Sequence, residues 1–138
     1  MILCDTGPLL CIVDRTQPKH RAYADAIEQL EKPLITTWAC LTEAMHLAKK
    51  RGGWRLQKQI SAFFLQRAVI IGKIEESDYD RLFSLMEKYK DQPMDLADAT
   101  LVVTAEKIGE TRILTLDSDF WVYRIYDRAA FDVIQVER

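Results

Sequence analysis

Six carboxylates interrupt or end apolar stretches of this chain: Asp5 after Ile2-Leu3-Cys4, Glu43 in Leu41-Thr42-Glu43-Ala44, Asp95 and Asp98 around Leu96-Ala97, and Asp117 and Asp119 after Leu114-Thr115-Leu116. A carboxylate in such a setting is costly unless a cation or hydrogen-bond donors compensate it. If the acids converge, two carboxylates about 5 Å apart repel by roughly 3 kcal/mol at an effective dielectric of about 20. A divalent cation inverts that sign. An all-oxygen set favours Mg²⁺ or Mn²⁺ over Zn²⁺, because no cysteine or histidine pair with zinc spacing accompanies the acids. Mg²⁺ held by few carboxylates keeps several waters, which leaves places for a substrate phosphate and an attacking hydroxide. Phosphodiester hydrolysis is the chemistry such a set serves best.

Residues so far apart in sequence meet only if strand ends and helix starts bring them together. Ile2–Cys4 reads as a short buried strand, and after the turn Thr6-Gly7-Pro8 the proline can occupy the first turn of a helix reaching about Val13. A second helix spans His20 to Leu30, Pro33 resets the chain, and Leu34–Thr36 forms a strand. Thr37 caps a helix to about Lys50, stopped by Gly52-Gly53, and Arg55–Gln66 reads as another amphipathic helix. Ala68–Ile74 is a strand of β-branched residues, and Ser77 with Asp80 resembles a capping box that opens a helix to about Tyr89. A helix from about Asp95 to Ile108, closed by Gly109, precedes a strand at Arg112–Thr115, a loop or short helix at Asp117–Tyr123, and a final strand at Phe131–Val136. Strands separated by helices make an α/β fold: three α/β/α layers around a mostly parallel sheet of about five strands. Asp5 and Asp117 then follow strands directly, where ligands bind in open α/β sheets, while Asp95 and Asp98 share one helix face.

At 138 residues the chain suits a single domain, 1–138, able to bury a core without disulfide staples. Its 49% hydrophobic and 29% charged content is that of an ordinary soluble protein, and no run approaches the roughly 18 apolar residues of a membrane span. Asp5 arrives too early for a signal peptide, so a cytoplasmic location is expected. Three cysteines, an odd number, fit a reducing compartment; Cys4 and Cys40 read as small core residues. The net charge of −2 neither demands nor excludes nucleic acid, because steering depends on where charges lie.

The opening Ile2-Leu3-Cys4-Asp5-Thr6-Gly7-Pro8-Leu9-Leu10, Glu43 in its helix, Asp98-Ala99 with Val102-Val103-Thr104-Ala105, and Leu114-Thr115-Leu116-Asp117-Ser118-Asp119-Phe120 together resemble a PIN-domain protein. The match spans nearly the whole chain in order, and the size is similar to that of the toxin ribonuclease of a VapBC-type toxin–antitoxin pair. The resemblance implies a metal-dependent endoribonuclease that leaves 5′-phosphate and 3′-hydroxyl ends. Asp5 and Asp98 would be principal ligands of one or two Mg²⁺ or Mn²⁺ ions, with Glu43 and Asp117 contributing directly or through water. It also implies a cognate antitoxin and a homodimer, whose face could include Leu9–Val13.

Other roles stay open. Thr6 and Thr115 either orient water or phosphate or are turn and strand residues with satisfied hydroxyls. Asp95 sits where a helix cap belongs, and Asp119 is either an outer ligand or a turn former. Lys49, Lys50, Arg51, Arg55 and Lys58, with Trp54 among them, form an acid-free segment suited to gripping RNA phosphates and stacking a base; a solvated helix end is the plain alternative. Arg124 and Arg128 are a weaker second candidate. His46, one turn after Glu43, is expected to be packed or hydrogen-bonded rather than a base, and His20 is expected to be exposed. A haloacid-dehalogenase-like phosphatase needs an acid two residues after the first Asp, where Gly7 stands. A solitary PIN nuclease in RNA processing, or a non-catalytic RNA-binding or protein-interaction PIN fold, remains the alternative.

Overall fold

β1 (Leu3–Cys4) lies at the centre of a five-stranded parallel sheet of order β3-β2-β1-β4-β7, in a computed structural model that describes residues 1–136. Its neighbours are β2 (Leu34–Thr36) and β4 (Arg112–Leu114), with β3 (Val69–Ile71) outside β2 and β7 (Asp132–Val133) outside β4. Registers follow from the pairs Leu3 with Ile35, Cys4 with Leu114, Ile35 with Ile70, and Ile113 with Val133. Successive side chains alternate between two apolar clusters, as the two-residue period of a strand dictates. Leu3, Ile35 and Ile113 face α5 (Tyr79–Lys88) and α6 (Leu96–Ile108), whereas Ile2, Cys4, Leu34, Val69 and Leu114 face the other side. That second side is covered by α1 (Thr6–Cys11), α2 (His20–Gln29), α3 (Trp38–Gly52) and α4 (Trp54–Leu65). The three layers are those expected.

The strands are shorter than their β-branched runs. β2 ends at Thr36 because α3 begins two residues later, so the expected strand 68–74 pairs only over Val69–Ile71. β7 is likewise cut from the expected 131–136 by the three-residue length of β4, with Ile134 adding one bond to the Ile113 carbonyl at 2.9 Å.

Among the described residues, side-chain caps open three of the six α-helices, α1, α3 and α6. α1 starts at Thr6, with Pro8 in its first turn as expected, and the Asp5 carboxylate caps it by accepting the Thr6 N–H at 2.7 Å; it ends at Cys11, short of the expected Val13. Thr37 caps α3 through the Cys40 N–H, and Gly109 closes α6 in the left-handed region at φ 68°. The capping box before α5 is made by Glu75 and Asp78 instead of Ser77 and Asp80; it opens a 3₁₀ turn, Glu76–Asp78, ahead of the helix.

A two-stranded hairpin, β5 (Arg124–Ile125) with β6 (Ala129–Ala130), has no counterpart in the expected elements. Its turn holds Tyr126 and Asp127 at φ 52° and 58° without a glycine. Tertiary contacts hold it there. Glu106, buried on α6, accepts the Tyr126 N–H at 2.7 Å and two bonds from Arg81, which also reaches Asp127, as does Lys88. Among the described residues no helix is long and apolar enough to cross a membrane.

Candidate active site

The sheet order reverses direction beside β1: the chain builds β2 and β3 on one side and then returns to place β4 on the other. At such a switch point neighbouring crossovers diverge and leave a crevice beyond the carboxyl ends of the strands. Asp5 follows β1 there, and its N–H bonds the Leu114 carbonyl at the end of β4. Thr115 and Asp117 leave β4 at the same level, and Asp98 reaches the crevice from the first turn of α6. One carboxylate oxygen from each of Asp5, Asp98 and Asp117 lies within 4.8 Å of the others. A cleft of about 310 Å³ opens above them, lined also by Glu43, Asp95, Thr6, Gln17 and Arg51.

Protein donors orient each acid. Asp5 accepts the Thr6 N–H and, through its other oxygen, the Thr115 hydroxyl at 2.8 Å. The same Thr115 oxygen accepts the Asp117 N–H at 2.9 Å, so one hydroxyl ties two of the acids together. Asp117 in turn accepts the Asp119 N–H at 2.9 Å. Asp98 accepts the buried Tyr123 hydroxyl at 2.8 Å, leaving its second oxygen to the cleft. Tyr123 is itself wedged edge-on between Phe120 and Tyr89, each ring centre 5.1 Å away.

Burial and crowding raise the affinity of these groups for a positive charge. Burial pushes the Asp5 carboxyl up to about 6, against the pull of its hydrogen bonds to Thr115 and Thr6, and Asp117 and Glu43 add repulsion. Burial likewise pushes Asp98 to about 8, despite Tyr123, with Asp95, Asp5 and Asp117 adding to the rise. Asp117 and Glu43 are raised for the same first reason. The neighbours that shift Asp5 and Asp98 are hydroxyls, a backbone N–H and other acids, with no lysine or arginine among them. Three hard oxygen ligands converging without protein counter-charge suit a divalent cation, and this acidic triad is able to hold one.

The remaining expected residues separate by position. Asp95 is the N-cap of α6, accepting the Asp98 N–H at 2.8 Å, and also lines the cleft. Glu43 stands at the cleft edge, outside the three-acid cluster. Asp119 belongs neither to the three-acid cluster nor to the cleft lining, and its carboxylate accepts from the Gln92 amide at 3.5 Å. The Thr6 hydroxyl donates to the Cys40 carbonyl, joining α1 to α3. Arg51 lines the cleft, whereas Lys49, Lys50, Trp54, Arg55 and Lys58 are exposed on α3 and α4 beyond it. The Arg124 guanidinium caps the carbonyls of Trp121, Val122 and Tyr123, and Arg128 is exposed at the hairpin. Burial pushes the Cys40 thiol up to about 12, so it stays a neutral core group. Two expectations reverse: His46 is exposed rather than packed, and His20 is half-buried, its Nδ1 2.7 Å from the Cys11 carbonyl.

Sequence reasoning missed Tyr123, which orients Asp98, and Gln17, which lines the cleft. Tyr123 lies 25 residues from Asp98, and no spacing rule links a phenol on a loop to an acid on a helix.

Known proteins match this geometry along nearly the whole chain. It is 26% identical over 116 residues to ribonuclease VapC26 of Mycobacterium tuberculosis, covering 84% of this chain and 86% of that one. Its fold is similar to the crystal structure of the M. tuberculosis sarcin–ricin loop cleaving toxin VapC20, with TM-score 0.79 and 18% identity over 86% of this chain and 92% of the other. A toxin–antitoxin complex from Klebsiella pneumoniae is also similar, with TM-score 0.62 and 22% identity over 87% and 90% of the two chains. The PIN domain model matches residues 2–126, which contain every acid of the cleft, and the chain therefore belongs to the PIN-domain family, as a distant homologue of the VapC ribonucleases.

Proposed function

We propose that this chain, acting as a single PIN-like domain over residues 1–138, is a Mg²⁺- or Mn²⁺-dependent endoribonuclease and the toxin of a VapBC-type toxin–antitoxin pair. The observation that carries the reading is the meeting of Asp5, Asp98 and Asp117 at the sheet's switch point in a PIN-domain chain. Asp5, Asp98 and Asp117 would hold the ion, with Glu43 contributing from the cleft edge directly or through water. When bound, a divalent ion neutralises the charge that builds at phosphorus and makes water acidic enough to attack near neutral pH.

The protein's own share is positioning. Thr115, Thr6 and Tyr123 fix the carboxylates before substrate arrives, so little reorganisation accompanies the reaction. Glu43, raised by burial and by Asp95 and Asp117, is an exposed acid of the cleft and so is placed to exchange protons with solvent. Asp95 keeps Asp98 in the first turn of α6. The exposed bases Lys49, Lys50, Arg55 and Lys58, with Trp54 at 66% exposure, supply the flanking grip on RNA phosphates and bases.

A protein partner fits the surface beside the cleft. An apolar groove of about 500 Å³ includes Ala39, Leu96 and Ala97, and Trp38 and Tyr79 stand exposed next to it. Such a face suits cover by an antitoxin segment or a second copy of the chain. The relative from K. pneumoniae was solved as a toxin–antitoxin complex, which supports the first.

Structured RNA, including tRNA, incubated with the protein and Mn²⁺ or Mg²⁺ should be cut to fragments with 5′-phosphate ends, and EDTA should stop cleavage. Equal cutting in EDTA would sink the metal requirement. Tyr123→Phe keeps the ring but loses the bond to Asp98; Mn²⁺ affinity by titration calorimetry should fall about 10-fold, with the melting temperature lowered by a few degrees for a lost buried bond of about 1 kcal/mol. Unchanged affinity would mean that the Asp98 carboxylate is oriented without the phenol.

A further inference from the structure

Carboxylates dominate the cleft, yet an RNA strand brings further negative charge into it. Five acids line it: Asp5, Glu43, Asp95, Asp98 and Asp117. Among its described lining residues Arg51 is the only base. Glu43, Leu47 and Arg51 recur every four residues on α3, so they form one stripe along the cleft wall. The eight positions from Glu43 to Arg51 correspond to about 12 Å along the helix axis. Arg51 thus stands at the opposite end of this stripe from Glu43, on the wall where a phosphate next to the one over the acids would pass.

A second group holds this arginine in place. Asp14, 5% exposed, lies with its carboxylate 3.5 Å from the Arg51 guanidinium. The Thr16 hydroxyl at 2.6 Å, the Thr16 N–H at 3.0 Å and the Gln17 amide at 3.3 Å all donate to Asp14. The Thr16 hydroxyl is the chief reason that the Asp14 carboxyl lies below its ordinary value, and the group therefore stays ionised. The long Arg51 contact engages a single terminal nitrogen and leaves the rest of the fork open, on a side chain 39% exposed. A guanidinium held by one acid and otherwise open can bind a phosphate through two parallel N–H bonds.

We propose that Arg51, oriented by Asp14, forms a phosphate subsite of the cleft that grips an RNA phosphodiester flanking the one placed over the acids. The inference rests on the ribonuclease reading, and it separates Arg51 from the exposed bases of α3 and α4. Arg51 is the substrate-binding residue and Asp14 its positioning residue.

The test compares wild type, Arg51→Gln, Arg51→Lys and Asp14→Asn for cleavage of one structured RNA with Mn²⁺ at several salt concentrations, with melting temperatures alongside. Arg51→Gln should raise KM about 10-fold with kcat nearly unchanged, and should lower the slope of log KM against log salt by about 0.7 to 1, the loss of one phosphate contact. Arg51→Lys should keep the slope but raise KM several-fold, because it keeps the charge and loses the fork. Asp14→Asn should behave like Arg51→Lys. If Arg51→Gln matches wild type in KM and salt slope while wild type cleaves, this inference fails alone, even if melting temperature drops. A wild type that neither cleaves nor binds RNA overturns the ribonuclease reading and this inference with it.

Discussion

Asp98→Asn should lower the rate of RNA cleavage about a thousandfold, equivalent to roughly 4 kcal/mol of barrier, while leaving the protein folded. The amide keeps an oxygen to accept the Tyr123 hydroxyl, so the edge-on aromatic packing around Tyr123 has no reason to move. It removes the negative charge that a divalent ion needs. The same change should not destabilise the metal-free protein at pH 8. Burial and neighbouring acids hold the Asp98 carboxyl at about 8, so its ionisation opposes folding there and a neutral amide does not. Asp5→Asn should lose activity to a similar degree but is a less isolated change. Both Asp5 oxygens accept protein donors, Thr6 N–H and the Thr115 hydroxyl, and an amide satisfies only one, at a cost of about 1 kcal/mol. Single-turnover cleavage and thermal melts on both variants check this; an Asp98→Asn rate within threefold of wild type would remove Asp98 from the reaction.

Metal-free protein should lose stability as pH rises from 5 to 8, opposite to the usual trend for carboxylates. Asp5 and Asp98 are raised from 3.8 to about 6 and about 8, so the folded chain binds these protons more tightly than the unfolded chain does. The penalty is absent below about pH 4, where both states are protonated. It grows as pH rises and is complete once the folded groups ionise. For Asp5 alone a rise of about two pH units corresponds to about 3 kcal/mol, enough to shift the melting temperature by several degrees. Groups with the opposite sign act elsewhere: Glu110, lowered to about 2 chiefly by Arg112, contributes stability that is lost only in stronger acid. Mn²⁺ should restore the lost stability and raise the melting temperature far more at pH 8 than at pH 5, since it binds the ionised carboxylates. Melts in chelator and in Mn²⁺ across this range are the measurement. A flat or rising metal-free profile would contradict the raised carboxyls.

Some parts of this molecule were legible because their causes are local. An acid directly after Ile2-Leu3-Cys4, a capping Asp95 three residues before Asp98, and Gly109 closing α6 each act within a few residues, and the structure keeps all three in those places. The alternation of strands and helices has the same character, since it follows from periodicity and breakers. The parallel sheet followed from that alternation.

The hairpin was not legible, because Tyr126 and Asp127 adopt left-handed conformations without glycine or asparagine. Contacts from α5 and α6 hold them there. Strand lengths were overestimated because a β-branched run continues past the point where its partner strand has turned into a helix.

The acids themselves divide along the same line. Sequence alone determined that Asp5 and Asp117 follow strands, that Asp98 lies near a helix start and that Glu43 lies within a helix, because residue type and local element are properties of short stretches. Only the tertiary structure decided that Asp5, Asp98 and Asp117 meet within 4.8 Å, that Glu43 lines the cleft outside that cluster, and that Asp119 belongs to neither. It also decided which distant side chains orient them, Tyr123 on Asp98 and Thr115 on Asp5. Those distances depend on how β4 returns beside β1 and how α6 packs across the sheet, and burial, which no local pattern specifies, makes these carboxylates a group able to hold a cation.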